Sequence, residues 1–255
     1  MNTLYLIFFF IIGMVLGSFY NVLGLRIPNH QSIIKPHSHC EKCGHILKWY
    51  ELIPVLSFLF QKGKCRSCQT KLSLMYPFSE LFCGILFLIS YYSFGFSWNL
   101  VIALILSSLM IIVMVSDLTY MIIPDRFIVI PSLLILFIKL IGFGWKEFAS
   151  SLLSGVIAFL IMYVIMKFGS FLLKKEALGG ADVKLMFLVG ICIEPFLTLI
   201  VIILASVIAL PVSLFLLISK KENAIPFGPF IVLGLLIVFF TKLNSMEIIN
   251  LLINH

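Results

Sequence analysis

Two aspartates and two pairs of cysteines are the residues whose types and spacing could do chemistry in this chain. Asp182 stands in Leu178-Gly179-Gly180-Ala181-Asp182-Val183-Lys184-Leu185, a carboxylate behind two glycines at the head of an apolar segment. Asp117, 65 residues earlier, closes another apolar run in Ser116-Asp117-Leu118-Thr119-Tyr120-Met121-Ile122-Ile123-Pro124-Asp125. An ionisable group at membrane depth is expensive, so it reads first as a functional group in need of a partner. Two carboxylates a few ångströms apart cannot both ionise easily; one then activates water while the other, protonated, polarises a carbonyl. That is the chemistry of aspartyl peptide hydrolysis. The residues alone leave a second reading open, in which Asp182 caps a helix near the positive end of its dipole and the glycines are an ordinary loop.

The neighbours have roles on either reading. Gly179 and Gly180 carry no side chain, so a bound extended peptide can come close to the backbone there. Lys184 reads as an interfacial cation that could also help keep Asp182 ionised. Asp125 follows Pro124 and precedes an apolar helix, so it reads as an N-cap, with a supporting place at the site as the alternative. Glu80 and Glu194 sit near span ends, where they would face headgroups or pair with lysines.

The cysteines fall in Cys40-Glu41-Lys42-Cys43 and Cys65-Arg66-Ser67-Cys68, with 21 residues between the pairs. Two such knuckles can set four thiolates tetrahedrally around Zn2+, in a spacing slightly longer than the usual one. With all four positions filled by protein, such a zinc is structural. Redox-active or free thiols are the alternative, His37, His39 and His45 are alternative ligands or surface histidines, and Cys83 and Cys192 read as packing residues in apolar spans.

The elements that must position these groups are helices in a membrane. The chain has 255 residues, 62% hydrophobic and 11% charged, where soluble domains carry about 25% charged residues. Apolar runs long enough to cross a bilayer recur along it, which excludes a soluble globular protein. The pattern predicts an all-α polytopic membrane protein with about eight spans, at 4–23, 77–94, 98–116, 127–143, 148–168, 180–193, 196–218 and 228–243. It divides into a first transmembrane helix (1–23), a cysteine-rich zinc-knuckle segment (24–76) and a membrane domain (77–255) carrying both aspartates. The first span is read as retained, not as a cleaved signal peptide.

The net charge of +7 reads as a topology signal and not as nucleic-acid binding. The loop 24–76 holds eight lysines and arginines, and its side of the membrane collects 15 against 3 on the other. The predicted orientation is an outside N-terminus, a cytoplasmic cysteine segment, and Asp117, Asp125 and Asp182 all at the cytoplasmic face.

Together with Gly17-Ser18-Phe19-Tyr20-Asn21-Val22, Arg26-Ile27-Pro28, Glu51-Leu52-Ile53-Pro54-Val55-Leu56-Ser57-Phe58, Tyr76-Pro77, Glu80-Leu81 and Pro226-Phe227-Gly228-Pro229, these motifs resemble, across almost the whole chain, the bacterial type IV prepilin peptidases, with the Gram-positive competence branch as the nearest match. The resemblance implies that Asp117 and Asp182 are the catalytic pair of a membrane aspartyl endopeptidase. It implies cleavage of the short basic leader of prepilins and pseudopilins at the cytoplasmic face of the cell membrane. It further implies N-methylation of the new terminus from S-adenosyl-L-methionine, an activity associated with the cysteine-bearing loop. Ala181 departs from the family pattern by standing where a second glycine is usual. Two rivals compete: a proton-coupled transporter using membrane carboxylates as a relay, which leaves the cysteines idle, and a non-catalytic scaffold with a zinc-stabilised docking loop.

Overall fold

The computed structural model describes residues 2–174, 179–218, 226–243 and 245. Leu178 and the lysines at 175, 220 and 221, used above in the motif and in the charge count, lie outside them. The described chain is helical and divides into two compact units, Met1–Tyr120 and Met121–His255.

In the first unit α1 (Thr3–Arg26), α3 (Met75–Phe94) and α4 (Trp98–Tyr120) carry the core, and the short α2 (Leu56–Phe60) sits in the intervening loop. Apolar helices gain little from hydrophobicity when lipid replaces water, so close backbone approach and polar bonds hold them together. A Cβ on Gly13 would stand 2.8 Å from Gly84 Cα, and one on Gly84 would stand 2.8 Å from Met14 Cγ. Only glycine lets α1 and α3 meet this closely. Ser79 Oγ donates to Asn21 Oδ1 at 2.6 Å, both side chains buried. Ser108 Oγ lies 2.8 Å from Tyr20 Oη, and Gly24 backs onto Val115. These contacts bring the last turns of α1 and α4 and the first turns of α3 to one end of the unit. The cysteine segment emerges at that end, and so does Asp117.

The second unit holds α5 (Arg126–Phe143), α6 (Trp145–Leu173), α7 (Gly180–Cys192), α8 (Pro195–Ile218) and α9 (Gly228–Thr241). Helix α7 packs on α6 with almost no side chain between them: a Cβ on Gly190 would lie 2.6 Å from Ser154 O, and one on Gly155 would lie 2.5 Å from Ile191 Cγ2. Lys139, which with Lys146 and Lys242 makes up the three cations assigned to the far side, is buried inside α5 and donates to Ser151 Oγ at 2.7 Å and Glu147 Oε1 at 3.2 Å. It is a packing ion pair and not a loop charge.

Six described helices are long and apolar enough to cross a membrane: α1, α3, α4, α5, α6 and α8. The two remaining predicted spans form as helices but are short, 13 residues in α7 and 14 in α9, against the roughly 20 that a crossing needs. Pro195 cannot continue α7 and instead opens α8.

Candidate active site and metal centre

Asp117 lies in the last turns of α4 and is 6% exposed. It is an acid placed inside a span-length helix. Asp182 lies in the first turn of α7, the third helical residue after the N-cap Gly179. The cap is therefore glycine, and Asp182 is not the cap that the local pattern also allowed. Its amide donates to Gly179 O at 3.1 Å, and its carboxylate folds back over that glycine: a Cβ on Gly179 would stand 3.2 Å from Asp182 Oδ2. Around Gly180, by contrast, a Cβ would meet no atom of the described residues within 4 Å. The carboxylate thus sits at a helix start, whose dipole favours negative charge, beside the Gly180 backbone.

Ala181 is the second residue of α7, in ordinary helical conformation. No left-handed backbone is needed there, so the methyl group costs nothing locally.

Asp125 does occupy the N-cap of α5, but with φ −55° and ψ −29° and without a side-chain cap bond. A cap side chain reaches the N2 or N3 amide from extended backbone; from helical backbone it does not. Its carboxylate instead accepts from Lys184 Nζ at 2.6 Å. Lys184 is therefore engaged by Asp125, and this ion pair ties the start of α5 to the start of α7, two residues from Asp182.

The four cysteines converge in the first unit. Their Sγ atoms all lie within 4.8 Å of one another, with Cys40–Cys68 at 3.8 Å and Cys43–Cys65 at 3.9 Å. A tetrahedron of thiolates at about 2.3 Å from a metal has sulfurs about 3.8 Å apart. The cluster fits a metal ion. The two knuckles repeat one turn: Gly44 N bonds Cys40 O and Cys40 N bonds His45 O, as Gln69 N bonds Cys65 O and Cys65 N bonds Thr70 O. Gly44 at φ +69° and Gln69 at φ +58° take the same left-handed position. All six cysteines are free of disulfides. Among the described residues none of the flanking histidines joins the cluster; His45 Nε2 lies 3.1 Å from the buried Glu51 Oε2, which also accepts from the Lys48 amide. These partners, the Lys48 amide first, hold Glu51 below the ordinary glutamate range. The hydroxyl and then the amide of Thr70 pull the Cys68 thiol down to about 6.

Glu80, read above as a headgroup-facing acid, is instead buried one turn inside α3, and its Oε2 accepts from Val55 N at 2.8 Å. It latches the cysteine segment to the helices. The signal in the sequence was its position: Tyr76-Pro77-Phe78-Ser79 precede it, so it stands inside the apolar run.

Helices long enough for several crossings, an acid inside one of them, and a cluster of four cysteines between the first two spans define a multi-pass membrane protein with a loop that could hold a metal ion. The bacterial peptidase A24 N-terminal domain matches residues 11–94, and the type IV leader peptidase family matches residues 104–214. A prepilin leader peptidase/N-methyltransferase of Bacillus subtilis is 41% identical over 181 residues, 71% of each chain. One from Vibrio cholerae is 33% identical over 258 residues, covering 94% of this chain and 98% of its own. A third, from Myxococcus xanthus, is 36% identical over 189 residues, and the match spans 56% of its length. This chain belongs to the type IV leader peptidase family. No solved structure matches it.

Proposed function

We propose that this chain is an aspartyl endopeptidase of the cytoplasmic membrane that removes the basic leader of prepilins and pseudopilins, and that Asp117 and Asp182 carry the hydrolysis. One carboxylate, ionised, takes a proton from water as the oxygen attacks the scissile carbonyl. The other, protonated, donates to the carbonyl oxygen and recovers that proton as the C–N bond breaks, while the first passes the proton it took from water to the departing amine. The observation that carries the reading is the Asp182 carboxylate at the head of α7, folded over Gly179 and next to Gly180, where a Cβ would meet no described atom within 4 Å. Asp125 and Lys184 hold the start of α7, and Gly179 seats the carboxylate. The charge asymmetry of the sequence supports a cytoplasmic cysteine segment and an outside N-terminus.

The thiolate cluster is assigned to Zn2+. Four protein ligands close its coordination, so the metal's part is to fold a segment too small for its own core. N-methylation of the new terminus from S-adenosyl-L-methionine is the second activity; its support is the name carried by the relatives.

The test gives the purified protein, reconstituted in lipid, one prepilin with a short basic leader and an apolar helix. The product's mass is then read with and without S-adenosyl-L-methionine. The proposal expects cleavage before the apolar helix, and a methylated product only when the donor is present. An intact prepilin would overturn the peptidase assignment. A cut but never methylated product would overturn only the transferase.

A further inference from the structure

The cysteine segment presents an apolar stripe that neither the peptidase chemistry nor the metal centre uses. Trp49, Leu52, Ile53, Leu56, Leu59 and Phe60, on the 3-10 turn at 49–52, the turn that follows and α2, are all exposed, from 38% at Ile53 to 84% at Phe60. Soluble surfaces rarely leave so many large apolar side chains together. Exposed cations surround the stripe in sequence: Lys48, Lys62, Lys64, Arg66 and Lys71. Across residues 24–76 there are eight lysines and arginines against two acids, Glu41 and Glu51, and Glu51 is buried against His45.

The fold fixes where this stripe sits. The Val55 amide, in the middle of it, donates to Glu80 Oε2 at 2.8 Å. Glu80 is the sixth residue of α3, a helix of membrane-spanning length, which places it about 8 Å along the axis from the helix start. Leu74 and Phe78, both exposed at that start, extend the apolar surface. A segment held beside the entry turn of a membrane helix, apolar on one side and basic around it, meets the chemistry of an interfacial element. Tryptophan is at home at that depth, and lysines nearby draw acidic headgroups.

We propose that Trp49–Phe60 lies in the headgroup boundary of an anionic lipid leaflet, with Lys48, Lys62, Lys64 and Lys71 on its acidic phosphates. The bilayer is favoured over a protein partner because the Glu80 latch sets the stripe at the depth of a membrane helix entry. The inference rests on the multi-pass membrane reading and not on peptidase activity. Its readouts involve no cleavage, so the two can fail separately.

The experiment uses the full chain in nanodiscs of phosphatidylcholine with or without phosphatidylglycerol. Trp98 and Trp145 are replaced by Phe, leaving Trp49 as the single tryptophan. Lipids brominated high on the acyl chain should quench Trp49 about twofold or more, and lipids brominated near the bilayer centre far less. Lys62→Glu with Lys64→Glu should weaken that quenching in the anionic discs. Hydrogen exchange on the unaltered protein gives a second reading, with amides of 56–60 slowed about tenfold in anionic discs relative to detergent. Trp49 emission indifferent to brominated lipid, together with equal exchange in discs and detergent, would overturn the proposal. Protection that appears only when a prepilin is added would also overturn it, making the stripe a substrate surface.

Discussion

Replacing Gly190 by alanine should cripple the enzyme from a position with no chemistry of its own. In an isolated helix the change is favourable, since alanine exceeds glycine by about 1 kcal/mol in helix propensity. Here the new methyl would meet Ser154 O at 2.6 Å, Ala158 Cβ at 2.7 Å and Gly155 Cα at 2.8 Å. Two of these three atoms are backbone and cannot rotate away. Ordinary van der Waals contact begins near 3.4 Å, so α7 must withdraw from α6 by roughly 0.8 Å. Overpacking of this kind costs about 1–3 kcal/mol, enough to cancel the propensity gain and leave a net loss of up to about 2 kcal/mol. Asp182 rides on the same rigid helix two turns away, and a misplacement of about 1 Å at a reacting group can cost 10²-fold in rate. Prepilin cleavage should therefore fall about ten- to hundredfold, with a lowered thermal midpoint in the same lipid. Gly180→Ala is the comparison for stability, because its methyl meets no described atom within 4 Å and, at a helical position, should leave the midpoint in place or raise it. Wild-type cleavage and an unshifted midpoint in Gly190→Ala would refute the argument that the glycine contact positions Asp182.

Three further outcomes follow from the same geometry. Ala181→Gly, which restores the usual glycine, should lower thermal stability by about 0.5–1 kcal/mol because the position is helical, and cleavage should not rise; a more active and equally stable variant would mean the methyl obstructs substrate. Asp125→Ala should cost less than about 1 kcal/mol, the pair being exposed, yet slow cleavage several-fold by loosening α7; the exchanged pair Asp125→Lys with Lys184→Asp should recover part of that rate. Chelating the metal from reduced protein should unfold the cysteine segment, so Cys40, Cys43, Cys65 and Cys68 should all alkylate fast at pH 7 by peptide mass spectrometry, whereas the metal-loaded protein shields all four. Shielding that survives chelation would mean that the segment folds without metal.

Helix positions were largely legible in the sequence because long apolar runs leave a chain in lipid few other options; α1, α4, α5 and α8 fall within a few residues of the predicted spans. The span count was less legible: the run at 180–193 is short already in the sequence and ends at Glu194-Pro195, and α7 and α9 form as helices of 13 and 14 residues, under the length of an ordinary crossing. The knuckles were legible because their ligands are local in sequence. What stayed hidden depends on contacts between distant residues. Lys184 and Asp125 are 59 positions apart, and nothing local says that the lysine chooses Asp125. Glu80 meets Val55 across 25 positions. Gly190 finds Gly155 only in the fold, although Ser151, Ser154, Gly155 and Ala158 carry the small-residue spacing of a tight membrane-helix contact.

The central claim is that Asp117 and Asp182 act in one reaction, and a double-mutant comparison of prepilin cleavage tests it most directly. Residues that work as a unit lose activity together, so each single change costs nearly as much as both. Asp117→Asn and Asp182→Asn should each lower the rate by about 10²–10⁴-fold or more, with the doubly substituted protein little slower than either, while all three keep the wild-type thermal midpoint. Near-wild-type cleavage in either single variant, or losses that multiply in the double, would contradict the account.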